Sequence, residues 1–114
     1  MTVFILRCGD SFALQKRPDA GLLAGLWQFP NVPGKLDAAE AAAWAGERGL
    51  KPRDVKRISE KKHLFTHIQW NMRGIYLEVM KKNGDFRWFR SEEVNRSAAL
   101  PTAFRQFWEE RDYV

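Results

Sequence analysis

The sequence predicts an α+β fold, a mixed or antiparallel sheet flanked by helices, and three observations carry that prediction. Runs of β-branched, aromatic or alternating apolar residues recur at 2–8, 11–17, 55–59, 68–80 and 86–89, a pattern suited to a pleated, half-buried surface. One Ala-rich stretch, 38–47, lies between turn signals and reads as a helix. Strands gather on both sides of that helix instead of alternating with helices one for one, as a parallel array would require.

Each element has its own signal. Thr2–Cys8 is an apolar, β-rich run, Gly9-Asp10 is a turn, and Ser11–Arg17, with Phe12 and Leu14 on one face, completes a hairpin. Arg17-Pro18-Asp19-Ala20-Gly21 interrupts regular structure. Leu22–Pro30 is dense in Leu, Gly, Trp and Phe and reads as a buried loop entering a short strand, Trp27–Phe29, before a turn cluster at Asn31–Lys35. Asp37 with Glu40 three residues on is a capping box. The helix it starts, Ala38–Glu47, stops at Gly49 with Pro52 beyond. Its alanines give propensity but a thin apolar face, so Trp44 has to dock it. Val55–Ser59 reads as a strand and Ile68–Met80 as a long one, with Asn83-Gly84 as a hairpin turn into Phe86–Phe89. Ser91–Val94 is one helical turn. Pro101-Thr102 opens a final helix with Thr102 as N-cap and Phe104 and Phe107 on neighbouring faces.

Composition narrows the classes of function. At 114 residues the chain has room for one core, and 45% hydrophobic with 13% aromatic residues can fill it. Nineteen Lys and Arg against 14 Asp and Glu leave a net charge of +5. That sign favours polyanionic partners, nucleic acid first and an acidic membrane second, with a merely soluble basic domain as the alternative. One cysteine, Cys8, excludes an internal disulfide and a multi-cysteine metal or iron–sulfur site in this chain. In its apolar run it reads as a small buried hydrophobe. No stretch nears the roughly 20 apolar residues of a membrane span, and the N-terminus lacks the layout of a signal peptide. The expectation is a cytoplasmic monomer.

Chemistry concentrates at Lys62-His63-Leu64-Phe65-Thr66-His67-Ile68-Gln69-Trp70, which holds both histidines and follows the basic run Lys56, Arg57, Lys61 and Lys62. A hydroxyl beside an aromatic and positive charge suits a loop that touches a nucleobase next to a phosphate; it also suits the rim of an ordinary strand. His63 and His67 would face together as a metal pair only on a helix, and the aromatic and β-branched surroundings with no third ligand argue against that. Phosphate-loop and dinucleotide motifs are absent, since Gly21 and Gly25 fit neither glycine spacing. Nothing supports a Ser- or Cys-centred nucleophile.

Two resemblances bear on function. The strand–loop–helix around Gly34-Lys35 resembles that of the Nudix hydrolases, whose Glu-rich helix binds magnesium. Registering the end of that motif on Gly49-Leu50 places Ala42 and Ala43 where Arg and Glu belong. Registering its front on Gly34 recovers Glu40 and Arg48 but puts Gly49 where a Glu is needed. Neither register supplies the oxygen ligands magnesium requires. A fuller resemblance spans nearly the whole chain. Arg17-Pro18 with Gly21–Pro30, then His63–Ile68, then Leu100-Pro101-Thr102-Ala103-Phe104 are similar to the C-terminal domain of MutY-type adenine DNA glycosylases.

That resemblance implies a Nudix-like (MutT-like) fold without hydrolysis, with residues 1–114 as a single lesion-recognition domain from the C-terminal part of a longer glycosylase. The implied role is recognition of 8-oxoguanine opposite adenine in duplex DNA, in base excision repair. The parent enzyme excises adenine with a separate N-terminal catalytic domain carrying a 4Fe-4S cluster, so this chain alone has no catalytic residue, metal or cofactor. The implied partners are the lesion duplex and that N-terminal domain, and the implied setting is the nucleoid of a bacterial cytoplasm. The family's Phe-Ser-His recognition loop corresponds to Phe65-Thr66-His67, with a methyl added to the hydroxyl residue. Arg57, Lys61, Lys62 and Arg73 are the candidate DNA-backbone contacts, a solvated face being their alternative. Phe65 also fits a core position and His67 a loop brace, while His63 reads as structural. Trp27, Phe29, Trp70, Trp88 and Phe104 read as core. A divergent Nudix-type nucleotide pyrophosphohydrolase is the rival function, and a protein–protein module on an inherited fold is a third.

Overall fold

The apolar runs at the start and middle of the chain pair with each other to make the centre of a seven-stranded mixed sheet. The computed structural model describes the backbone of residues 1–114 and every side chain except that of residue 113. Strand β1 (Thr2–Cys8) lies parallel to β6 (Gln69–Val79), in register from Thr2 opposite Arg73 to Arg7 opposite Glu78. The other pairings are antiparallel. Strand β2 (Ser11–Lys16) returns along β1, and β5 (Pro52–Leu64) runs beside β6 as an edge strand. The first hairpin splays away from its turn. The segment holding β3 (Trp27–Gln28) and β4 (Asn31–Val32) bridges the opening, pairing with β2 and then with β1. Strand β7 (Arg87–Arg90) covers the far edge of β2.

Each face of the sheet carries its own core. On one, helix α1 (Ala38–Glu47) buries Ala41 and Ala45 against Phe4, Leu6, Ile75 and Leu77. The predicted capping box is present: Glu40 N donates to Asp37 Oδ1 at 2.8 Å and Asp37 N to Glu40 Oε1 at 3.0 Å. Trp44 docks the helix by stacking on Phe4 at 3.8 Å, as its thin Ala face demanded. The loop before α1 is clamped by buried Thr2, whose Oγ1 donates to Gly34 O and accepts from Leu36 N.

The opposite face is covered by α2 (Ser91–Glu93), the π-helical turn Val94–Ala98 and α3 (Thr102–Trp108), followed by a 3-10 turn, Arg111–Tyr113. Phe104, Phe107 and Trp108 pack there on Val3, Ile5, Met72 and Tyr76. Phe107 lies directly over Gly74 of β6, and Tyr76 Oη donates to Phe107 O at 3.1 Å.

Several expectations are corrected. The Leu22–Trp27 loop is half-buried instead of enclosed: Leu23 and Trp27 pack at the core margin, Leu26 is 44% exposed, and backbone bonds to Arg17 and Pro18 hold the loop in place. The 83–84 turn does not make a hairpin: β7 leaves β6 and crosses to β2, since β6 already has β1 and β5 as neighbours. Strand β5 extends well beyond Ser59, so Lys61 and Lys62 belong to a strand and not to a loop. Its charged residues suit an edge, where Lys and Arg discourage pairing with other chains. Thr102 is the first helical residue of α3; Pro101 precedes it as cap and makes no side-chain bond. Cys8 is half-buried at the end of β1 instead of fully enclosed, and Trp27, Trp70 and Trp88 sit at the margins of the cores.

A Cβ on Gly74 would meet the Phe107 ring at 2.4–2.5 Å, and neither the fully buried ring nor the central strand can retreat cheaply. Gly74→Ala is expected to cost about 1–3 kcal/mol, read as a lower urea midpoint with an unchanged m-value.

Candidate nucleic-acid interface

The β5–β6 hairpin closes on two residues, Thr66 and His67, with Phe65 N donating to Ile68 O at 2.7 Å. Neither tip residue has a positive φ, so the turn is not one of the glycine- and asparagine-rich types that announce a hairpin in sequence. Thr66 and His67 are exposed, and among the described residues neither side chain has a hydrogen-bond partner. The tip forms one wall of an open, mainly apolar cleft of about 540 Å³, lined by Leu22, Leu64, Phe65, Thr66, His67 and Ile68. Leu64 and Ile68 are 69% and 50% exposed, unusual for side chains of that size next to a free hydroxyl.

Phe65 is half-buried and turned toward the α3 side of the sheet. It packs edge-on against Trp70 at 4.8 Å and His63 at 4.6 Å, and Trp70 in turn meets Phe104 of the core at 5.8 Å. Phe65 therefore takes the core-facing place of one alternative: its ring is anchored on the core while its backbone carries the tip. His63 has the structural place expected of it, opposite Trp70 in the ladder.

A brace absent from the sequence reading holds this stack from outside. The Arg17 guanidinium lies 5.0 Å from the Trp70 ring centre while donating to Leu22 O and to Gln28 Oε1. Arg17 thus ties together the tip's aromatic support, the cleft's other wall and β3. The Arg17-Pro18 pair was visible in the sequence as part of a motif, but nothing in the sequence placed it against Trp70.

The four candidate backbone contacts fall on both faces of β5 and β6. Lys61 and Arg57 point to the α3 side, where Glu110 accepts both, at 2.5 and 3.6 Å. Glu110 was missed because it lies beyond α3, far along the chain from the basic run. Arg73 faces the α1 side and donates from Nε to Glu60 Oε1 at 2.7 Å, with Lys35 on the other carboxylate oxygen. Lys62 is exposed and, among the described residues, pairs with no carboxylate.

The α1 side offers no metal centre. Asp37 and Glu40 each spend one oxygen on the other's backbone amide, and Glu47 stands two turns further along the helix. Among the described residues no three His, Cys, Asp or Glu side chains gather closely enough to hold a metal ion. The magnesium chemistry of Nudix hydrolases therefore has no ligand set here, and the exposed hairpin tip belongs to the other side of the sheet. No described helix is long and apolar enough to cross a membrane.

The family model of the NUDIX domain matches residues 2–110. The chain is 33% identical over 112 residues to the adenine DNA glycosylase of Homo sapiens, an alignment covering 86% of this chain and 20% of that protein. It thus spans about a fifth of the length of that curated relative. Among solved structures, the complex between the C-terminal domain of mouse MUTYH and human PCNA matches with a TM-score of 0.65 at 24% identity, over 97% of this chain and 85% of that one. A Nudix hydrolase from M. smegmatis, RenU, matches with a TM-score of 0.57 at 18% identity, over 99% and 86%. The Nudix-like fold expected from the sequence is the fold observed.

The Arg73 guanidinium, helped by Lys35 and opposed by partial burial, holds the Glu60 carboxyl below its ordinary range. A depressed carboxyl adds stability above its unfolded pKa, and that stability is lost as pH falls through the folded value. Glu60→Gln should therefore match the parent in acid and fall below it near neutrality. At this half-exposed site the difference should be under about 1 kcal/mol, read by urea titration from pH 3 to 7.

Proposed function

The chain belongs to the NUDIX-domain family, and from that premise we propose that it serves as the part of an adenine DNA glycosylase that reads 8-oxoguanine opposite adenine, in base excision repair. The single observation that carries this reading is the unpartnered Thr66 hydroxyl, held at an exposed hairpin tip on a ring anchored to the core. Oxidation of guanine at C8 turns N7 from an acceptor into an N–H donor and adds an acceptor, O8. A hydroxyl accepts from one and donates to the other, whereas unmodified guanine offers only the N7 acceptor there. The apolar cleft beside the tip suits the face of a displaced base, and Phe65 can wedge beside it. His67, free at the same tip, can donate to a phosphate or brace the loop.

Charge plays a secondary part in this reading. Lys62 is the cation best placed for direct phosphate contact, while Arg57, Lys61 and Arg73 would exchange Glu110 or Glu60 for phosphate or act through their field. Excision itself, and the iron–sulfur cluster it goes with, would belong to a catalytic domain joined to this one: four cysteine ligands are needed and this chain has one. Magnesium-dependent release of pyrophosphate from nucleoside triphosphates by the chain would instead support the hydrolase reading.

The chain is expected to bind duplex DNA weakly and to prefer 8-oxoguanine over guanine at the same position, most visibly at low salt. Thr66→Ala should shrink that preference by about 1 kcal/mol, roughly fivefold in relative Kd, and leave affinity for the unmodified duplex almost unchanged. Fluorescence anisotropy on matched duplexes measures both. Equal affinity for the two duplexes, unaffected by the substitution, would overturn base reading by this loop.

A further inference from the structure

On the same side of the sheet as the hairpin tip, a second group of cations surrounds an aromatic ring. Lys16 ends β2 opposite Trp27 of β3, and its Nζ lies 5.3 Å from the Trp27 ring centre. Arg87 of β7, opposite Leu14, places its guanidinium carbon 5.9 Å from the same ring and 5.6 Å from Phe89. Trp27 itself is fixed edge-on against Phe89 at 5.0 Å, at the margin of the core that also supports Phe65 and Trp70. Both cations are exposed, and among the described residues neither pairs with a carboxylate. The basic run of β5 differs in this respect, because Glu110 answers Arg57 and Lys61 there.

We propose that Lys16 and Arg87, held 5.3 and 5.9 Å from the Trp27 ring centre, form a phosphate-binding patch that takes the DNA backbone at a distance from the lesion. The inference rests on the DNA-reading role proposed for the tip and adds the site that supplies affinity. Three features support it. The two charges are not neutralised within the chain, so a phosphate gains their full attraction without displacing a protein partner. The ring limits where each cation can go, which lowers the entropy lost on ordering them. Arg17 and the loop bonds connect the patch to the tip: Arg17 N donates to Leu26 O, next to Trp27, while its guanidinium covers Trp70. One rigid surface can thus carry a base-reading point and a backbone-holding point, the usual division of labour in a protein–DNA interface.

The test measures Kd of the chain for an 8-oxoguanine:adenine duplex and its guanine counterpart over a series of salt concentrations. The Lys16→Gln/Arg87→Gln double variant should weaken both duplexes by the same factor, about tenfold at low salt, and reduce the slope of log K against log salt by about 2. The charge-keeping pair Lys16→Arg/Arg87→Lys should retain the slope, which separates lost charge from disturbed Trp27 packing. Lys81→Gln/Lys82→Gln, at the other end of β6 from the tip, should leave the slope nearly as it was. An unchanged slope in the first variant, or an equal fall in the Lys81/Lys82 control, overturns the patch. A loss confined to the lesion duplex overturns it too. If the parent discriminates lesion from guanine but the double variant keeps the parental slope, the patch fails and the base-reading role stands. If the parent binds neither duplex, both fall.

Discussion

The contact between Phe107 and the bare backbone of Gly74 sets where everything on one side of the sheet can sit. A side chain at residue 74 would hold α3 off β6; without one, the Phe107 ring packs directly against the strand and Tyr76 closes the arrangement with a hydrogen bond to Phe107 O. From that anchor, the chain beyond α3 delivers Glu110 to Lys61 and Arg57. Gln106, one position before the anchor, donates to Ala103 O and reaches toward Lys62 O at 3.4 Å. The last helix therefore governs the edge strand that carries the hairpin tip. Its energetic effect is twofold: it buries three large rings, and it neutralises cations that would otherwise repel one another along β5.

That neutralisation changes the meaning of the net charge. A surplus of +5 read from the sequence suggests a basic patch centred on the densest basic run, 56–62. In the fold, that run is divided between the faces of a strand: Glu110 answers Arg57 and Lys61 on one face, while Glu60 on the other is taken by Arg73 and Lys35 from outside the run. Cations that sequence spacing scatters, at 16 and 87, meet over one tryptophan because β2 lies between β3 and β7. Linear charge density is a poor guide to surface potential wherever a strand alternates its side chains between faces.

Local signals were legible wherever one residue type forces one geometry. Asp37 and Glu40 made their capping box, Gly49 ended α1, and β1 and β2 fell where the apolar run and the Gly9 turn put them. The failures are non-local or lack a marker. Asn83-Gly84 has the local chemistry of a hairpin, but the partner of β7 is decided by the free edge of β2. The turn at Thr66-His67 uses no left-handed residue, so the boundary between β5 and tip left no trace in composition. The candidate site was likewise half legible. The hydroxyl, its aromatic neighbour and the basic approach could be read in line, whereas the Arg17 brace, the Leu22 wall and the Glu110 counter-charge required the fold.

The two faces of the sheet differ in what their helices leave exposed. On the α1 face, Asp37 and Glu40 are committed to starting the helix and Ala fills the positions that pack, so the carboxylates that remain cannot converge on a cation. The helix supports the sheet there, with Trp44 stacked on Phe4 beneath the parallel pair β1 and β6. The opposite face gains the exposed hairpin, because β5 and β6 outrun the helices that cover them and end in a tip whose aromatic support is Phe65 on His63 and Trp70, braced by Arg17. A support of that kind is rigid at its base and free at its end. Such a tip can keep a small hydroxyl in a fixed place, which is what the proposed base-reading role asks of it, and the patch proposed at Trp27 would supply the affinity that so few contacts cannot.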